Sequence, residues 1–67
     1  MHTIRIERLK SLIVDNPNDT FALFALAKEY EKVGEFENSV QLFEKLLVAD
    51  EKYVGAYYHL VKVYEQL

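Results

Sequence analysis

The chain has no cysteine, one proline and two glycines in 67 residues. Without cysteine there can be no disulfide and no cysteine-built zinc site. So few glycines and prolines argue against an all-β fold, which needs many turns. No apolar run reaches the ~18 residues of a membrane span. The first residues, Met1-His2-Thr3-Ile4-Arg5, have no apolar stretch of signal-peptide type. An excess of one charge is also missing. Eight basic and eleven acidic side chains leave a net charge of -3, with no basic footprint for nucleic acid. These absences predict a soluble, cytoplasmic protein that binds neither membrane nor nucleic acid.

Chemistry is scarce as well. There is no glycine-rich phosphate loop and no His-Glu-x-x-His pair. His2 and His59 lie far apart in sequence. The first acidic residue after His59 is Glu65, six positions on and off contact spacing. Glu29, Glu31, Glu35 and Glu37 read as solvated charges on helix faces and turns. The expectation is no enzyme, no cofactor and no metal.

What the chain does have is apolar content, 51% of its residues. A chain this short makes one domain, and buries only about 60% of the surface its unfolded form exposes. Domains of this size often need a staple. With disulfide and zinc excluded, stability must come from tight helix packing or from a partner.

Laid over itself with Ile6 against Val40, the chain matches its own sequence without a gap. Residues 6–33 then lie over residues 40–67, and seven of the 28 pairs are identical: Leu12/Leu46, Val14/Val48, Ala22/Ala56, Leu26/Leu60, Lys28/Lys62, Tyr30/Tyr64 and Glu31/Glu65. Seven further pairs are apolar on both sides, among them Leu9/Phe43, Leu23/Tyr57, Phe24/Tyr58 and Ala27/Val61. Chance would give about two identities at average residue usage.

Punctuation between apolar stretches predicts an all-α chain of four helices, at about residues 3–14, 20–32, 37–48 and 54–66. Asp15-Asn16-Pro17-Asn18-Asp19 breaks the first from the second, and Asn18 or Asp19 can cap the latter. Gly34 stands where a helix ends in a left-handed residue. The connections are short, so neighbours should pack antiparallel. Leu23, Leu26, Ala27, Tyr30 and Val33 should form one face against Val40, Phe43 and Leu47, with Ala22, Ala27 and Ala56 allowing close approach. Tyr30 and Tyr64 read as core aromatics whose hydroxyls reach a polar edge.

A 34-residue helix–turn–helix period is that of the tetratricopeptide repeat. Leu23, Leu26, Ala27 and Tyr30 match its first-helix element, and Ser39 and Phe43 its second-helix element. Gly34 and Phe36 fall in its turn, and Tyr57, Leu60, Val61 and Tyr64 restart the pattern. The chain therefore resembles this family over nearly its whole length. In the family's phase it holds a second helix, one complete repeat and a further first helix. It departs from the pattern where Leu23 and Tyr57 replace tryptophan, Ser39 replaces alanine and Glu51 replaces proline. The bulkiest departures are Val61 and Arg5.

The resemblance implies an α-solenoid whose concave groove binds a peptide. Phe21, Phe24 and Lys28 would line it from the second helix, and Tyr58, His59 and Lys62 from the fourth. Aromatics beside lysines suit a peptide with apolar anchors and acidic groups. Equally, the aromatics could cap a small core and the lysines be solvated. The family's clamp for a terminal carboxylate is not matched, since Phe24, Tyr58 and Lys28 stand where its polar set would be.

Solenoid repeats need neighbours to bury their apolar faces. The fourth helix offers Val61, Tyr64 and Leu67 with no helix after it. That predicts self-association, with a closed dimer favoured over an open stack, unless the chain is part of a longer repeat protein. Two functions follow as expectations: a protein or peptide adaptor using the groove, or a scaffold that assembles with itself.

Overall fold

The structure, a computed structural model, describes residues 2–67, with side chains from residue 3 onward. Four helices make up the described residues and there is no strand among them: α1 (His2–Asp15), α2 (Thr20–Lys32), α3 (Phe36–Ala49) and α4 (Val54–Gln66). The expected boundaries stand to within a residue. Both ends of α3 follow those of α1, and both ends of α4 those of α2, by the offset that aligns the sequence with itself.

Local chemistry sets these ends. The Asp19 carboxylate accepts from the Ala22 N–H at 3.2 Å, satisfying one free donor of the first turn of α2. At its other end Gly34 adopts φ +83°. There the Glu35 N–H donates to the Tyr30 carbonyl and the Gly34 N–H to Glu31, a complete Schellman closure. The Asp50 carboxylate accepts from the Lys52 N–H in the turn before α4.

Helix α1 packs on α2, α2 on α3 and α3 on α4, and α2 touches α4. Among the described residues α1 and α4 do not meet, so the helices form an open array. A closed bundle would bring first and last together. The body measures 28 × 25 × 14 Å. Its short dimension corresponds to two helix layers, given an interaxial spacing of about 8–10 Å and a backbone radius of about 2.3 Å.

The principal core unites α2, α3 and α4. Leu23 and Ala27 meet Val40, Phe43, Leu46, Ala56 and Val63. The Ser39 hydroxyl is fully buried beside Ala27 and donates to its carbonyl oxygen at 2.8 Å. Small side chains at both places let α2 and α3 approach closely.

Several expected placements are corrected. Leu26 and Tyr30 do not share the face of Leu23. They form a second cluster with Ile6, joined by Leu9 and Ile13 of α1 and by Leu42 of α3. Helix α2 is flanked on two sides, and its apolar residues divide between them. Val33 is the C-cap and lies at the surface. On α4 the buried pair is Ala56 and Val63, with Leu60 half-buried, whereas Tyr57, Val61 and Tyr64 are exposed. Tyr64 is therefore no core aromatic: its helix turns another face inward. Leu12, Val14 and Val48, all in identical pairs of the repeat, are exposed too. No helix among the described residues is long and apolar enough to cross a membrane.

Candidate functional site: a concave face of aromatics and cations

Two adjoining hollows share Lys28 and Lys32 on one face of the array. The larger, about 320 Å³, lies between α1 and α2 and is lined by Arg5, Leu9, Phe21, Phe24, Ala25, Lys28, Glu29 and Lys32. The other, about 280 Å³, runs from Lys28, Glu31 and Lys32 to His59 and Lys62 of α4. Phe21, Phe24, Lys28, His59 and Lys62, all named from sequence, thus line one continuous surface. Tyr58 stands at its edge, largely exposed.

The floor is aromatic. The Phe24 ring is half-buried and packs edge-on against Phe43 at 5.9 Å, with Tyr53 at 5.1 Å and His59 at 5.4 Å. It reaches the backbone of Gly55, where an added Cβ would lie 3.5 Å from the ring. The His59 ring stacks nearly parallel on Phe43, and Tyr58 meets His59 edge-on. Phe24 and His59 are consequently supports as much as contacts. Phe21, on the same face, is exposed.

Cations ring this floor. The Lys28 ammonium sits 5.4 Å over the Phe24 ring, and the Lys62 ammonium 5.3 Å over Tyr58. Each is the geometry of a cation held on a π face. The correspondence between the halves, Phe24/Lys28 and Tyr58/Lys62, therefore extends to the arrangement of the side chains. Lys28 forms no ion pair with a carboxylate among the described residues.

Two carboxylates hold the remaining charges, and here expectation is overturned. Glu29 is buried, with Arg5 of α1 at 3.4 Å and Lys32 at 3.2 Å. Glu31 is half-buried, with His59 Nδ1 at 3.1 Å and Lys62 at 3.9 Å. Neither is a solvated helix-face charge. Both are flanked because a neighbouring helix covers them, α1 over Glu29 and α4 beside Glu31. Nor does His59 lack an acidic neighbour: its partner stands 28 residues earlier and across a helix contact. Counting Arg5, Lys28, Lys32 and Lys62 against Glu29 and Glu31, with His59 neutral, leaves this face at +2 in a chain of net -3.

Arg5, Leu9 and Lys32 were not foreseen as lining residues. Arg5 carried a signal, since it stands out as a bulky departure from the repeat. The residues named for self-association are not together. Val61 and Tyr64 share the exposed face of α4, whereas Leu67 lies beside the turn after α2, near Gly34 and Phe36. Among the described residues no group of three or more histidine, aspartate or glutamate side chains is placed to hold a metal ion.

No family model matches the chain, and comparison with curated proteins and with solved structures finds no significant match to either.

Proposed function

We propose that this chain is a protein–protein interaction module of tetratricopeptide type that holds a peptide on the concave face of α2 and α4. The equal offset between the two helix pairs supports the family resemblance. The observation that carries the function is Lys28, fixed over an aromatic ring beside exposed Phe21 and without a carboxylate partner among the described residues. A peptide with an apolar anchor and an acidic group would meet both. The reading gives the chain no catalytic role, no cofactor and a cytoplasmic setting.

The architecture also selects the test. Phe24 supports the core through Phe43, so its removal would confuse folding with binding. Phe21 and Lys28 are the cleaner handles. Peptides selected from a random library on the wild-type protein should be rich in acidic residues around an aromatic or aliphatic anchor. Lys28→Glu and Phe21→Ser should each weaken them about tenfold or more, with helix content unchanged. Peptides that bind both variants as tightly as wild type would overturn the groove.

A second reading, a scaffold that assembles with itself, is favoured by one observation. The exposed face of α4 includes Tyr57 and Val61, the counterparts of Leu23 and Ala27, which α2 buries against α3.

A further inference from the structure

Val54, Tyr57, Val61 and Tyr64 recur at spacings of three and four along α4, and are 77%, 47%, 59% and 48% exposed. They form one apolar stripe beside the groove. In the alignment of the chain with itself they are the counterparts of Thr20, Leu23, Ala27 and Tyr30. Of these, Leu23 and Ala27 are buried against α3, while Tyr30 belongs to the cluster shared with α1. Tyr57 and Val61 thus hold the places of a helix-packing surface, yet are exposed.

The α2/α3 contact supplies the template for a head-to-tail stack, in which α1 of a second copy would stand to α4 as α3 stands to α2. The template fails at its closest point. Ser39 lies on Ala27 in the internal contact. The stack would set Arg5 against Val61, and Arg8 would replace Leu42. Two bulky groups would meet where two small ones fit, and arginine charge would enter an apolar contact. Arg5 is moreover engaged with Glu29.

The stripe is, however, complementary to itself. Set antiparallel to a second α4, Val54 faces Tyr64 and Tyr57 faces Val61, all about one two-fold axis at the level of residue 59. Each large ring then opposes a smaller side chain, the alternation that lets layers interdigitate. A parallel pairing would set ring on ring. The hydroxyls present no obstacle. Tyr57 donates to the Glu51 carbonyl at 2.9 Å, and Tyr64 donates to the Glu44 carboxylate. Covering the rings leaves no hydroxyl unsatisfied. Charge agrees as well. Lys52 precedes α4 and Glu65 lies in its last turn, both exposed and neither in an ion pair among the described residues. The antiparallel arrangement sets each beside the other of the second copy.

We propose that two copies of this chain pair through α4 about a two-fold axis, antiparallel, with Tyr57 of each against Val61 of the other. This rests on the self-association reading, and is independent of the groove. The pairing is closed, so it ends at a dimer.

Because the chain has no cysteine, introduced thiols report the arrangement directly. Val54→Cys and Tyr64→Cys chains, mixed and oxidised, should form the mixed disulfide, and neither chain alone should cross-link. Homodisulfides within either chain, or no cross-link at all, would overturn the antiparallel pairing. Sedimentation at high micromolar concentration should give a dimer for wild type and a monomer for Val61→Glu. Arg8→Glu on α1 should leave the dimer intact. A wild-type monomer would sink both the pairing and the self-association reading, and a dimer lost with Arg8→Glu would show a head-to-tail contact instead. Lys52→Glu alone should raise the dimer's Kd about tenfold, and adding Glu65→Lys should restore it. An unchanged Kd in both would remove the charge contact from the arrangement.

Discussion

Leu23, Ala27 and Tyr30 on α2 and Tyr57, Val61 and Tyr64 on α4 hold corresponding positions in the two copies of the repeat. The first three are buried and the second three about half exposed or more. The sequence similarity between the halves is real, but burial does not follow it. Helix α2 is covered by α1 on one flank and by α3 on the other, whereas among the described residues α4 packs on α3 and makes a slight contact with α2. The same holds for Leu12 and Leu46: the first is half exposed on the outer helix α1, the second fully buried on the inner helix α3. A repeat sets which residues can be core, and the neighbours present decide which of them are.

The largest expected effect tests that distinction directly. Leu23→Ala should lower stability by about 2–5 kcal/mol, since it leaves a cavity beside Phe43. A domain this small has about 5–10 kcal/mol in all, so much of the cooperative transition would be lost. Tyr57→Ala, its counterpart, should cost under about 1 kcal/mol in the monomer, as surface substitutions do. Urea unfolding of both at low protein concentration makes the comparison. Similar losses would mean that α4 turns its stripe inward after all.

Next in size is the small-residue contact. Ala27→Val should cost about 1–3 kcal/mol, because Ser39 lies against that position and its hydroxyl bonds the Ala27 carbonyl. Val61→Ala should change monomer stability by less than about 0.5 kcal/mol. The measurement is again the denaturation midpoint. A tolerated Ala27→Val would show that the two helices can separate without loss, and would remove the argument against a head-to-tail stack.

These contrasts also mark how far the sequence could be read. The helix ends were legible because their causes are local. Asp19 caps with its own carboxylate, and Gly34 adopts a positive φ that other residues resist. Which face of α4 turns inward was not legible. Val54, Ala56, Tyr57, Leu60, Val61, Val63 and Tyr64 place apolar side chains around most of the helix, and periodicity alone does not choose between stripes. Val63 was missed for that reason. The Glu31–His59 contact was out of reach too, because it joins residues 28 apart whose meeting depends on the angle between α2 and α4. The candidate groove was legible in its aromatics and in Lys28 and Lys62, which occupy the same place in the two copies of the repeat. Its α1 wall, Arg5 and Leu9, belongs to neither groove-lining helix.

The smallest effect is a titration. Tyr64 and Tyr30 are identical partners in the repeat, yet only Tyr64 presents its ring to solvent while its hydroxyl binds Glu44. That bond, then local burial, then the carboxylate's charge hold the Tyr64 phenol above the ordinary tyrosine value of 10.0. A raised folded-state value means the folded protein binds this proton more tightly than the unfolded chain does. The stabilisation is fully present below the unfolded tyrosine value, and is lost as pH rises through the folded one. Phenolate absorbance should show a late step from Tyr64, absent in Tyr64→Phe and moved toward the ordinary value in Glu44→Gln. Pairing through α4 would exclude water from this ring and push its titration still higher. The late step should therefore move upward with protein concentration. A step that stays fixed in a dimer of demonstrated mass would put the contact on a surface other than this stripe.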